Sequence, residues 1–216
     1  MIGNPAVRFS SPTEFTSGED LRRVFGSAGP EIDAGGSVLF RGIVTVMSGV
    51  RFRGRCVVGN DVLIDVGSVL EDAEIGDACS IRPYSLISSS RLGGRNIAGP
   101  FCFLRDQTTV GDDCIVGTHV EIARSRLGDG VKVSHQAFIG DADICDGVII
   151  GAGVVFCNYE KGKRLHSTVG ERTVIGSGTM VIAPAHIGRD AVIGAGSVVT
   201  RPVPDEARVI QRRSLA

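Results

Sequence analysis

The sequence predicts an all-β solenoid, a parallel β-helix of short strands, and three observations carry that prediction. Aliphatic residues recur at a spacing of six; Gly followed by Asp or Asn comes directly after many of them; and the 216-residue chain holds 30 Gly but no Trp and only 2 Tyr. A core without large rings has to be built from Val, Ile and Leu, which suits thin, repetitive packing. An amphipathic helix does not fit the pattern, because helical faces repeat near 3.6 residues and each interior Gly costs about 1 kcal/mol.

The leading apolar residues trace the repeat. They run Phe40, Val46, Phe52, Val58, Ile64 and Leu70, then Ile75, Ile81, Ile87, Leu92, Ile97 and Phe103. After one longer step they resume at Val110, Val116, Ile122, Leu127, Val133, Ile139, Ile144, Ile150 and Phe156, and after an insertion at Val169, Ile175, Val181, Ile187, Ile193 and Val199. Units such as Val58-Gly59-Asn60-Asp61 and Leu127-Gly128-Asp129 put turn-tolerant residues at the corners between strands. Small residues at the fifth position (Cys56, Cys79, Cys114, Ser197) fit where the interior narrows. Three heads make one triangular turn, giving about nine coils stacked at the ~4.8 Å spacing of paired strands. Periodicity alone does not fix the hand of the coil.

The repeat divides the chain. Residues 1–39 are expected to form an N-terminal cap, since a solenoid must cover its open end. Within it, Thr16 to Gly26 reads as a short helix, with Ser17 as cap, acidic residues first, basic ones later and a closing Gly. Residues 40–203 form the β-helix, with an inserted loop over 157–168. Arg201-Pro202-Val203-Pro204 is expected to stop the strands, leaving 204–216 as a C-terminal tail.

Composition narrows the partners. A formal net charge of -1 gives no electrostatic reason to expect nucleic acid or a membrane surface. The N-terminal residues lack the basic start and apolar run of a secretory signal, so a cytoplasmic protein is expected. The six Cys show neither a CxxC pair nor zinc spacing and are expected to be buried, reduced and apolar in role. No metal is expected.

Function is expected where the repeat breaks or an unusual residue interrupts it. The insertion holds Cys157-Asn158-Tyr159-Glu160-Lys161-Gly162-Lys163-Arg164-Leu165-His166, a polar loop pushed out of a regular coil. His135 lies two places after its head Val133, and the register puts Ala152, Ser177 and Ala195 in its column on the next three turns. An imidazole at the end of a track of small residues suits transfer from a long, thin donor.

From about Phe40 to Arg212 the chain resembles the C-terminal acetyltransferase domain of the bifunctional bacterial glucosamine-1-phosphate acetyltransferase/N-acetylglucosamine-1-phosphate uridyltransferase. The stretches that carry the resemblance are Gly99-Pro100-Phe101 through Leu104-Arg105, Val120-Glu121 with Arg126-Leu127-Gly128, His135 followed by Ile139-Gly140-Asp141-Ala142, Ile150-Gly151-Ala152-Gly153 running into Cys157-Asn158-Tyr159, and Val181-Ile182-Ala183-Pro184. The resemblance implies a left-handed coil and a homotrimer with active sites between subunits.

It also implies a set of roles. His135 would be the general base that takes a proton from an acceptor amine attacking the thioester of acetyl-CoA. Glu121 would hold the imidazole tautomer, Asn158 would orient the amine, and a backbone N–H near Tyr159 would stabilise the oxyanion. Ala152, Ser177 and Ala195 would line the coenzyme A track, with Arg212 on its phosphates. Among acceptor positions, Arg105 matches the family's phosphate-binding arginine, but Ala123, Phe138 and Ile149 stand where the family has lysine, tyrosine and asparagine. Arg164 replaces a lysine, and Arg124 offers a compensating charge. The expectation is therefore N-acetylation of an amino sugar or derivative other than the family's own. Its uridyltransferase portion has no counterpart in the sequence, so nucleotide-sugar synthesis is not expected. Rival expectations are a sugar O-acetyltransferase and a catalytically inert trimeric scaffold or sugar-binding module. A β-helix carbonic anhydrase is disfavoured, because His119, His135, His166 and His186 show no close pair with the required spacing.

Overall fold

The computed structural model describes residues 7–9, 11–26 and 29–210. The chain winds into a left-handed parallel β-helix of about ten turns, whose strands stack into three long sheets. The first sheet has 11 strands, from Val7–Arg8 and Ile43–Val46 to Arg208–Val209. The second has 10, from Thr13–Phe15 and Ser37–Phe40 to His186–Ile187, and the third 10, from Glu31–Ile32 and Arg51–Arg53 to Val198–Val199. Each strand pairs in register with the equivalent strand one coil away, as in Val116↔Val133, Leu127↔Ile144 and Ile122↔Ile139.

The expected leading residues point inward almost throughout, and Ile64, Leu70, Ile87, Ile122, Ile139 and Phe156 are wholly buried. Each such side chain contributes about 1.5–3 kcal/mol through burial. Two heads differ. Ala98 and Leu104 are the buried residues, whereas Ile97 is 37% exposed and Phe103 points outward, half-buried. The true heads run Leu92, Ala98, Leu104, Val110, Val116 without the expected longer step. Hydrophobicity favoured Ile97 over the smaller Ala98. The adjoining interior position is filled by a polar residue, Asn96, whose amide donates to Gly93 and Gly111 carbonyls at 3.0 and 2.8 Å and accepts from the Cys114 N–H at 2.7 Å.

The small fifth-position residues are buried as expected, and their polar atoms serve the backbone. The thiols of Cys79 and Cys114 donate to carbonyls of the next coil, Gly93 and Gly128, each at 3.1 Å. Burial pushes the Cys114 thiol up to about 11. Cys145 departs from the expectation for cysteines: it is exposed at a corner, and Cys157 is half-buried on the outer side of a third-sheet strand.

The repeat extends past both expected boundaries. Glu31–Ile32 already pairs in parallel with Arg51–Phe52, ahead of residue 40. Beyond the two prolines, Val203 bridges Ile187 and Arg208–Val209 pairs with Val192–Ile193, so the prolines interrupt pairing without ending it. The cap adds antiparallel strands, Thr13–Phe15 on Val38–Phe40, and the helix Gly18–Phe25. Ser17 Oγ accepts from the Asp20 N–H at 3.2 Å, which satisfies one of the free donors at the helix start. Leu21 and Phe25 of this helix are buried, and Phe25 and Phe15 join Phe9, Phe40 and Phe52 in a ring cluster with centroids 5.5–6.1 Å apart. Five of the nine Phe thus plug the open end, where aliphatic layers have no further coil to stack on.

Close stacking leaves some positions no room for a side chain. A Cβ on Gly117 would lie 1.9 Å from the Ser134 carbonyl oxygen one coil away, against backbone held on both sides by parallel pairing. Gly117→Ala is therefore predicted to lower unfolding stability by about 1–3 kcal/mol, the usual range for overpacking. Denaturant unfolding monitored by far-UV circular dichroism checks this; an unchanged midpoint would mean that the coils are not packed this closely.

Candidate functional site

The corner between the first and third sheets carries His135. Its strand, Lys132–His135, ends the first-sheet segment of its coil; Gln136 turns the corner at φ 47°, and Phe138–Gly140 opens the third-sheet segment. His135 is exposed. Its column is the one expected: Thr118 pairs with His135 on the coil before, and a ladder of backbone hydrogen bonds continues toward the C-terminal end. Gly153 N–H donates to the His135 carbonyl at 3.2 Å, Gly178 to Ala152 and Gly196 to Ser177, both at 2.8 Å. Ala152, Ser177 and Ala195 therefore line one straight track above the imidazole, each followed by a Gly with φ near 70°. Without side chains at those corners the track stays smooth and about three coils long, roughly 14 Å at strand spacing.

The third face holds a second group. Arg105 Nε donates to Glu121 Oε1 at 2.8 Å, and the Arg105 guanidinium lies 5.6 Å from the Phe103 ring centroid. Register stacks Phe103, Glu121 and Phe138 on successive coils. Glu121 thus sits between two outward rings, and an acid on an apolar surface is held there by its charge partner. The Glu121 carboxylate contacts Arg105, and no hydrogen bond joins it to His135.

At the far edge of this face a polar network turns the corner into the second sheet. Arg105 and Arg124 both reach Asp106, Arg124 through Nη1 at 2.7 Å. Arg124 also donates from Nε and Nη2 to the two oxygens of Asp141 at 2.8 and 3.1 Å, and the Asn158 amide donates to Asp141. Burial raises the Asp141 carboxyl, but the bonds from Arg124 and Asn158 outweigh it and hold the group below its ordinary range.

From Asn158 the inserted segment projects as a β-hairpin, Tyr159–Glu160 paired with Lys163–Arg164. Its turn, Lys161-Gly162, has positive φ at both central residues, as tight hairpins require. Tyr159 and Arg164 are exposed and face each other in register.

The chain therefore brings the sequence-predicted residues into two groups. His135, Ala152, Ser177 and Ala195 share one corner; Arg105, Glu121, Phe138, Arg124, Asn158, Tyr159 and Arg164 lie along the adjoining face and at its far corner. Residues 135 and 141 are separated by the width of that face, roughly 20 Å of extended chain. Arg212 lies outside the described residues. Sequence reasoning missed Asp141, which joins Arg124 to Asn158; its signal was the Gly140-Asp141-Ala142 segment, quoted for the resemblance without a role for this acid. It also missed the ladder Tyr84, Phe101, His119 just below His135, with centroids 5.6 and 5.3 Å apart and planes within 13° of parallel. Among the described residues no group of three or more His, Cys, Asp or Glu is placed to hold a metal ion.

A family model described as "Bacterial transferase hexapeptide (six repeats)" matches residues 166–201. Bifunctional protein GlmU of Sorangium cellulosum (strain So ce56) is 39% identical over 181 residues, 84% of this chain and 38% of that protein. Bifunctional protein GlmU of Synechococcus sp. (strain CC9605) is 39% identical over 161 residues, 74% of this chain and 36% of that protein. The chain thus spans well under half the length of the curated relatives it matches. Among solved structures, UDP-N-acetylglucosamine acyltransferase from Campylobacter jejuni superposes with a TM-score of 0.56 at 17% identity, covering 72% of this chain and 67% of that one, a likeness of fold.

The network gives a pH prediction. A carboxyl held below its unfolded value of about 3.9 adds stability that is fully present above that value and is lost as pH falls through the lower folded value. Stability is predicted to fall more steeply below about pH 4 in the native chain than in Asp141→Asn. Urea unfolding across pH 3–7 checks this, and parallel curves would remove Asp141 as a structural charge.

Proposed function

For a chain that belongs to the bacterial hexapeptide-repeat transferases, we propose transfer of an acetyl group from acetyl-CoA to the amine of an amino sugar or amino-sugar derivative, in the cytoplasm, by a homotrimer. The observation that carries this reading is the alignment of His135 with the smooth column Ala152, Ser177, Ala195. The thin pantetheine arm of the donor fits a track of small side chains, with its thioester at the imidazole end. Arg212 is assigned to the donor phosphates.

The chemistry follows from the residues. The acceptor nitrogen attacks the thioester carbon, forming a C–N bond, while His135 accepts the amine proton. The tetrahedral oxyanion is stabilised by a backbone N–H near Tyr159. Collapse breaks the C–S bond, and the proton returns from the imidazolium to the departing thiolate, leaving the amide and free coenzyme A. Asn158 positions the amine. Arg105 holds an anionic group of the acceptor, and Phe138, Arg124 and Arg164 complete its surroundings. When an acceptor anion takes the place of Glu121 on Arg105, the freed carboxylate becomes available to hold the His135 imidazole in the productive tautomer.

Because His135 and Asn158 lie on different corners of one chain, the reading requires a second copy to bring them together. The outer faces support such an assembly. Ile97, Ile149 and Val174 on the first face and Met180 and Val198 on the third are 36–49% exposed, whereas the second face presents Glu74, Arg91, Arg126, Asp143 and His186. Two apolar faces meeting at one corner suit side-by-side packing of three prisms, with the charged face left to water.

Release of coenzyme A thiol from acetyl-CoA is expected across part of a panel of amino sugars, amino-sugar phosphates and nucleotide amino sugars. His135→Ala is expected to lower that rate by about 10²–10⁴-fold. Ala195→Phe is expected to raise KM for acetyl-CoA while leaving kcat within severalfold. Release that survives in His135→Ala, or that follows hydroxyl rather than amine acceptors, would overturn the N-acetyl reading; no release together with no acetyl-CoA binding would favour an inert scaffold.

A further inference from the structure

Many surface arginines on this solenoid reach acids on a neighbouring coil. Arg51 reaches Glu31, Arg53 reaches Asp33, Arg95 reaches Asp112 and Asp113, Arg124 reaches Asp141 and Arg172 reaches Asp190, each at 2.8 or 2.9 Å. On the second face the pattern fails. Among the described residues the guanidinium groups of Arg41, Arg55 and Arg126 make no hydrogen bond or ion pair, and Arg91 reaches Glu74 only at 3.4 Å. These four arginines line one groove of about 730 Å³. The two acids in the same groove offset only part of this charge: Asp72 Oδ1 accepts from the Arg55 backbone N–H at 2.9 Å, and Glu74 is shared only with Arg91.

Register fixes the spacing. Arg91 pairs with Thr109 and Thr109 with Arg126, so the two arginines stand two coils apart on one column, about 10 Å between their Cα atoms. Their long stems bring the two forks toward a ligand lying over Thr109, with the exposed Gln107 amide at the groove edge. We propose that this groove binds a small molecule bearing a pyrophosphate group. Planar guanidinium forks match phosphate oxygens in bidentate fashion, and two forks at this spacing suit two linked phosphates better than one. The volume lies in the range of small-molecule sites. The groove is on the charged face, whereas the acetyl-transfer residues gather on the third face and its two corners, and its occupancy does not rest on that reaction. A smaller cavity that shares Gln107 and Arg126 in its lining is bordered by Arg124 and His166.

The test is calorimetric titration of the full chain with inorganic pyrophosphate and, separately, inorganic phosphate, at low and moderate salt. Pyrophosphate is expected to bind about tenfold or more tightly than phosphate, to weaken with salt, and to lose about tenfold in the double variant Arg91→Ser, Arg126→Ser. Gln107→Glu, which adds a negative charge at the groove edge without removing an arginine, is expected to weaken binding severalfold, and it decides the matter if the double variant does not fold. Arg172→Ser, which removes an arginine paired elsewhere, is expected to change nothing. No binding of pyrophosphate at millimolar concentration, equal affinity for phosphate, or binding that survives the groove variants would overturn the proposal.

Discussion

Everything in this molecule depends on the fixed separation of successive coils, set by parallel backbone pairing at about 4.8 Å. That spacing leaves no space for side chains where one coil's corner passes over the next, so Gly follows many of the inward aliphatic residues. It sends corner residues into left-handed backbone, as at Asp61, Arg95, Asp113 and Gln136. It also turns sequence positions about 17 residues apart into straight columns. A chemical group placed on one coil is thereby aligned with whatever occupies its column above and below. His135 owes its track of Ala152, Ser177 and Ala195 to this alignment, and Arg124 owes Asp141 to it.

The columns also explain how far the sequence could be read. Strong, repeated signals gave the fold: aliphatic residues at a spacing of six and Gly after them are direct consequences of stacking. The column of His135, Ala152, Ser177 and Ala195 was legible because counting along a regular coil is enough to place it. Register failed at Ile97 and Phe103, where a small Ala98 and an inward Asn96 carry the interior and hydrophobicity points to the wrong neighbour. The ends were misjudged for a different reason. Strand pairing at Glu31–Ile32 and Arg208–Val209 depends on the adjacent coil rather than on any local hexapeptide signal. The side-chain contacts of the third face were the least legible. Which acid Arg124 meets, and that Glu121 meets Arg105, follow from side chains crossing between coils at a corner, and residue identity alone does not specify that.

The distribution of polarity over the three faces joins fold to function. A lone prism has no reason to present Ile, Val, Met and Phe on its first and third faces and charges on its second. The proposed packing against further copies would give such a reason, and would place the corner of one chain near the face of another. The hairpin at Tyr159–Arg164, the one large departure from the regular coil among the described residues 40–203, projects from the corner opposite His135. The proposed site, assembled from the His135 corner of one copy and the Asn158 hairpin of the next, would use both features.

Complementation between two inactive variants tests that claim most directly. His135→Ala and Asn158→Ala would each be purified, shown to be folded and shown to lack acceptor-dependent release of coenzyme A thiol. They would then be dissociated, mixed and reassembled. If sites form between copies, some interfaces in the mixed assemblies pair an intact His135 with an intact Asn158, and activity returns on mixing. Activity that stays absent, in mixtures shown by mass spectrometry to contain both variants in one oligomer, would contradict a shared site and return the chemistry to residues of a single chain.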